Sequence, residues 1–152
     1  MTLNKNERDA VVKYRLERAN KTLTEAISNI ENCCWPAAVN RLYYACFYAA
    51  CALLIKNGYT TRTHRGVFSL LGEHYVSVGL ISKDQNKFYR RILELRQTGD
   101  YDDFIEFTGN EILPLVEPAE HFIETIENLI NPNDLYHSSS GISSCENPVA
   151  GI

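Results

Sequence analysis

From Asn4 to about Ile30, apolar residues recur at Val12, Leu16, Ala19, Leu23, Ala26 and Ile30. Steps of three and four put them on one stripe of a long helix, while Lys13, Glu17, Lys21 and Glu25 fill the other faces. Cys33-Cys34-Trp35-Pro36 interrupts the pattern, and Pro36 suits the first turn of a second helix. That helix is predicted to run to about Lys56 and to stop at Asn57-Gly58. It is apolar nearly all round, as expected of the central element of a bundle. Ala45, Ala49 and Ala52 leave room for a close neighbour. Arg41, Tyr44 and Tyr48 step by three and four and share a face beside Asn40, so this buried helix carries polar groups that need partners.

Tyr59 to His64 reads as a loop, with Thr60, Thr61 and Thr63 as candidate caps for a third helix from His64 to about Val78, ended by Gly79. Ser82-Lys83-Asp84-Gln85 has capping-box spacing and opens a fourth helix. On it Phe88, Ile92 and Leu95 form the expected core stripe, with Tyr89, Leu93 and Arg96 beside it. Gly99 is expected to end that helix and begin an acidic loop to Glu106. A fifth helix carries Val116, Ala119, Ile123, Ile126 and Ile130, its start blurred by Pro114 and Pro118. No strand alternation or internal repeat is found. The pattern predicts a single all-α bundle of about five helices over residues 1–131, followed by a flexible tail over 132–152 rich in Asn, Pro, Ser and Gly.

The chain has 152 residues, 45% of them hydrophobic and 22% charged, enough for one domain with a real core. Its net charge of −4 repels nucleic acid in bulk, so any nucleotide or RNA binding must use a local basic patch. The polar start from Met1 to Asp9 does not resemble a signal peptide. The longest apolar run, Leu42 to Ile55, has 14 residues, short of the roughly 20 needed to span a bilayer. Of the five cysteines, Cys46 and Cys51 read as buried, and none has metal-ligand spacing. The role of Cys33 and Cys34 beyond packing stays open. A cytoplasmic protein with reduced thiols, no metal and no cofactor is expected.

Three constellations carry chemistry. Arg96-Gln97-Thr98-Gly99-Asp100-Tyr101 offers a guanidinium fork for phosphate, a carboxylate and a phenol. The plain alternative is an arginine capping its own helix beside an acidic loop. Asn40-Arg41 with Tyr44 and Tyr48 is a second candidate, or else a buried network that fixes helix register. Thr63-His64-Arg65-Gly66 is the third, where backbone N–H groups at a helix start could receive a phosphate. Asp100, Asp102 and Asp103 lack the glycine and distal glutamate of a calcium loop. Walker, dinucleotide-binding, H-E-x-x-H and G-x-S-x-G signatures are absent.

Taken together, these segments resemble a known family. Ala38-Val39-Asn40-Arg41-Leu42-Tyr43-Tyr44-Ala45-Cys46-Phe47-Tyr48-Ala49-Ala50 resembles the second-helix signature of the HEPN superfamily. Thr63-His64-Arg65-Gly66-Val67 is similar to its T-H-x-G-V segment, and Arg96 to Tyr101 to its R-x-x-A-D-Y element, with Gly99 in place of alanine. The resemblance covers roughly residues 8 to 130 and points to the stand-alone bacterial HEPN proteins encoded beside a minimal nucleotidyltransferase. It implies an up-and-down helical bundle that forms a homodimer whose polar motifs meet in a cleft, and for many members a metal-independent ribonuclease of toxin type. The usual catalytic motif is an arginine followed after four to six residues by histidine. Arg96 matches the arginine, but Tyr101, Asp102 and Asp103 stand where histidine belongs.

The expected function is therefore binding of a nucleotide or RNA phosphate in a dimer cleft, alongside a nucleotidyltransferase partner. Asn40, Arg41, Tyr44, His64, Arg65 and Arg96 form the expected binding set, with Arg96, Asp100 and Tyr101 as candidate catalytic groups. The alternatives are a metal-independent ribonuclease and a dimeric interaction scaffold. No membrane association is expected.

Overall fold

The computed structural model describes residues 2–101 and 105–132, and no strand occurs among them. Helix α1 (Lys5–Glu31) turns sharply into α2 (Trp35–Lys56). A loop leads to α3 (His64–Leu71), which widens into a π turn over Gly72–Val76. Then come α4 (Lys83–Tyr101), the single-turn α5 (Gly109–Ile112) and a 3-10 turn (Leu113–Leu115), which runs on into α6 (Val116–Ile130). This is the all-α bundle that the periodicity predicts, with one short helix more than expected. Asp102 and Asp103, and the predicted tail from residue 133 on, lie outside the described residues.

Local chemistry fixes the helix starts. Asn4 Oδ1 accepts from the Glu7 N–H and Glu7 Oε2 from the Asn4 N–H, each at 2.9 Å, a complete capping box. The box predicted at the head of α4 is also formed, with Ser82 and Gln85 exchanging hydrogen bonds of 3.0 Å. Thr63 caps α3 by accepting from the Gly66 N–H at 2.9 Å.

α2 occupies the centre, packed along α1 and covered further by α6, α4 and α3. Leu42, Ala45, Cys46, Ala49, Ala50 and Ala52 are fully buried, and Ala19 and Ala26 of α1 are too. Small side chains on both helices let their axes approach closely. By length and composition α2, with 22 residues, could cross a bilayer, more than its uninterrupted apolar run suggests. Its most apolar stretch is 61% buried inside the bundle, where the other helices cover it. At its end the Arg8 side chain donates to the Ile55 carbonyl at 2.7 Å, satisfying one of the acceptors that the last helical turn leaves free.

Two expectations about α4 change. The helix does not stop at Gly99 but continues to Tyr101. A Cβ on Gly99 would stand 2.9 Å from Phe107 Cε2, so this glycine serves a close ring contact rather than a helix stop. The helix is also rotated relative to the predicted stripe. Tyr89, Ile92 and Leu93 are buried, while Phe88 and Leu95 are only partly so. That rotation brings Arg96, one turn beyond Leu93, to the rim of the core.

The α1–α2 turn stores backbone strain. Cys33 adopts φ 56°, in the left-handed region, while the Cys34 N–H reaches back to the Asn29 carbonyl at 2.8 Å. Glycine usually fills such a helix-ending position because it lacks the Cβ clash. Replacing Cys33 by glycine is expected to stabilise the fold by about 0.5–1 kcal/mol, since the side chain is exposed and only the strain is removed. Gly99→Ala is expected to lower stability through its clash with Phe107. Thermal melts followed by circular dichroism check both, and a Cys33→Gly variant that melts at a lower temperature contradicts the strain argument.

Candidate functional site

The rotation of α4 sets Arg96 against two tyrosines of α2. Its guanidinium carbon lies 5.7 Å from the Tyr43 ring centroid and 5.3 Å from that of Tyr44, and Nη2 donates to the Tyr44 hydroxyl at 3.1 Å. Cation–π contacts of this kind hold a guanidinium in place without cancelling its charge. Because α4 continues past Gly99, Asp100 stands one turn beyond Arg96 on the same helix rather than folding back from a loop. Its Oδ2 is 2.9 Å from Arg96 Nε, but the N–H is not aimed at it, so the contact is an ion pair without an aligned hydrogen bond. The Arg96 side chain is 17% exposed and that of Asp100 38%, so the pair sits at the surface end of the cluster.

Arg41 approaches the same tyrosine, with its guanidinium carbon 5.3 Å from the Tyr44 centroid. It is steered by its neighbour Asn40, whose Oδ1 accepts from Nη2 at 2.7 Å and from Nε at 3.1 Å. Two arginines thus share one phenol ring. Asn40, Arg41 and Tyr44 stand together on α2 as the helical spacing suggests, and the seating of α4 adds Arg96 to them.

His64, the first residue of α3, is carried into this cluster by the loop before it. Its Nδ1 and the Tyr43 hydroxyl are 2.7 Å apart and joined by a hydrogen bond. Its ring lies 4.5 Å from Phe47 and 5.8 Å from Tyr44. Burial, and then the Arg96 charge, hold the imidazole below its ordinary pKa of 6.5. Near neutral pH it is therefore uncharged, with one ring nitrogen committed to Tyr43. Tyr43 is fully buried, and burial pushes its phenol well above the usual range. Beneath it Tyr89, also fully buried, has a hydroxyl with no hydrogen-bond partner among the described residues.

Arg65 does not join the cluster. It is exposed and lines a groove between α3 and α4 with Phe68, Ser69, Arg90, Leu93, Glu94 and Gln97. Tyr101 is the last residue of α4, and its side chain lies outside the described residues. No group of three or more His, Cys, Asp or Glu side chains among the described residues could hold a metal. A groove of about 730 Å³ between α1 and α6 shares no residue with the cluster.

Spacing alone does not reveal two residues that the structure adds. Arg15 and Arg18 of α1 place their guanidinium carbons 6.0 and 5.4 Å from the Tyr48 centroid, and the Tyr48 and Tyr44 rings are 5.9 Å apart. The available signal was Tyr48 itself, a phenol on the polar face of an otherwise buried helix.

The all-helical bundle, which carries this arginine–tyrosine cluster on α2, the start of α3 and the end of α4, agrees with the fold that the HEPN resemblance implies. The sequence matches that domain across residues 12–130, and the chain belongs to the HEPN family. A "UPF0332 protein" of Thermotoga maritima is 37% identical over 125 residues, which cover 82% of this chain and 95% of the relative. Two proteins of Methanocaldococcus jannaschii, named "Putative toxin MJ0142" and "Putative toxin MJ0605", are each 30% identical. Their matches cover 79% and 82% of this chain, and 82% and 92% of the relatives.

The Arg96 charge is expected to hold the His64 titration down. Arg96→Ala should move the His64 midpoint up toward 6.5, as read from imidazole proton shifts in an NMR pH titration; an unchanged midpoint rules out the coupling. The sign for stability follows from linkage. The folded-state pKa is depressed, so as pH falls through about 6.5 the unfolded chain takes up this proton first. The His64 contribution is then fully present above 6.5 and is lost progressively as pH drops toward the folded-state value.

Proposed function

We propose that this chain is an RNA-directed, toxin-type HEPN protein in which Arg96 receives a phosphate and His64 moves a proton. The observation that carries the reading is the imidazole packed against the same two tyrosines as Arg96. An uncharged imidazole supplies a proton acceptor near neutral pH, the role that Tyr101, Asp102 and Asp103 fill poorly at the usual motif position. The relatives named as toxins support the same class.

In this reading His64 takes the proton of a ribose 2′-hydroxyl as that oxygen bonds to the adjacent phosphorus. Arg96 and Arg41 stabilise the charge that builds on the phosphoryl oxygens. The P–O5′ bond then breaks, the 5′-oxygen takes a proton from water, and the hydroxide so formed takes the proton held on His64, leaving a 2′,3′-cyclic phosphate, a 5′-hydroxyl and a neutral imidazole. No metal takes part. Two subunits related by a twofold axis would bring two such clusters together in a cleft, and a minimal nucleotidyltransferase encoded alongside is the expected partner.

A second reading, phosphate or nucleotide binding without cleavage, is favoured by the Arg96–Asp100 ion pair and by the tyrosine bond on His64 Nδ1. Incubation of the purified protein with unstructured and structured RNA in EDTA separates the two. Cleavage is expected that falls roughly 10²–10⁴-fold in His64→Gln, the usual value of general acid–base catalysis, and to background in Arg96→Ala. RNA binding lost in Arg96→Ala, with no cleavage by the wild type, establishes the second reading. A requirement for magnesium contradicts the cleavage mechanism.

A further inference from the structure

The arginines of this acidic chain gather beyond the Arg96 cluster itself. Arg15 and Arg18, one turn apart on α1, both lie over Tyr48. Tyr48 adjoins Tyr44, with centroids 5.9 Å apart, and Tyr44 carries Arg41 and Arg96, each at 5.3 Å. One turn before Arg18, Tyr14 is 59% exposed on the surface of α1. Four guanidinium groups and the Tyr44 and Tyr48 rings therefore run as one strip across α1, α2 and α4, ending at His64. Carboxylates near it among the described residues include Asp100, paired with Arg96, and Glu25, two turns along α1 from Arg18.

We propose that the Arg15–Arg18–Tyr48 end of this strip is a track for the nucleotides that flank the phosphate at Arg96, and that the ligand is a single-stranded RNA. This rests on the RNA reading given above and extends it to a substrate class. Sequence-tolerant single-strand sites combine guanidinium groups for the backbone with aromatic faces for the bases. Base faces reach side-chain rings of this kind only when they are unpaired, which points to a single strand rather than a duplex. Arginines already resting on phenol faces are held partly in position, so less side-chain freedom is lost when a phosphate arrives. A net charge of −4 makes the local nature of this patch the more telling, since the chain as a whole repels RNA.

The test is fluorescence anisotropy with two labelled probes, a single-stranded RNA long enough to cover the strip and a ribodinucleotide that reaches only Arg96. Arg15→Gln/Arg18→Gln is expected to weaken binding of the long RNA about tenfold. It should also reduce the salt slope of that binding by roughly 1.4, two phosphates at about 0.7 each, and leave the dinucleotide unaffected. Tyr48→Leu should weaken the long RNA without changing the salt slope. Circular dichroism melts establish that the variants are folded, and light scattering reads their oligomeric state.

Long-RNA binding that depends on Arg96 but not on the two α1 arginines overturns the track and leaves the proposed function standing. Binding that depends on the α1 arginines but not on Arg96 supports the track and removes the phosphate role of Arg96. Equal loss for both probes, or a change in oligomeric state in Arg15→Gln/Arg18→Gln, overturns the proposal and makes the strip a contact between subunits. No RNA binding by the wild type overturns both.

Discussion

Half of the 22 residues of α2 are buried, and the burial runs round the helix rather than along one stripe. A helix apolar on so many sides is stable in water only if other helices cover it, and α1, α3, α4 and α6 all pack on it. That requirement sets the positions of the other helices. It also explains where the chemistry sits. The polar residues of α2 (Asn40, Arg41, Tyr44 and Tyr48) are all partly exposed, at the rim where the covering helices meet. Tyr43 is the exception, fully buried, and its hydroxyl is satisfied by His64.

Much of this was legible from residue order. Periodicity located α1, α2, α4 and α6, the box at Ser82 marked the start of α4, and Gly58 and Gly79 take up positive φ at the stops where they were expected. Asn40, Arg41 and Tyr44 were assembled correctly because helical spacing is local information. The reading of Gly99 failed for an equally local reason. Glycine after a helical stretch is a common stop, and nothing nearby in sequence shows that a ring from Phe107 will lie against it.

What lay beyond the sequence was set by tertiary packing. The rotation of α4, which buries Tyr89 and leaves Phe88 partly exposed, depends on how that helix seats on α2, because two adjacent stripes of similar apolarity differ little in periodicity. His64 and Arg65 are neighbours in the chain, yet the first turn of α3 sends one into the arginine cluster and the other to an outer groove. Arg15 and Arg18 sit on a helix whose sequence reads only as amphipathic. Their relation to Tyr48 exists because α1 packs along α2.

The Arg96–Asp100 pair has an electrostatic consequence for any anionic ligand. An ion pair between partly exposed groups is worth about 0–1 kcal/mol, and this one lacks an aligned hydrogen bond. A charge-assisted hydrogen bond from arginine to a phosphate is worth about 1.5–3 kcal/mol, and guanidinium groups commonly make two. On the proposed function, a phosphate would therefore displace the carboxylate at little cost, while the faces of Tyr43 and Tyr44 would keep the guanidinium where it was. Asp100 holds the arginine in register without competing strongly for it, an arrangement that suits a site whose charge must be available to an incoming strand.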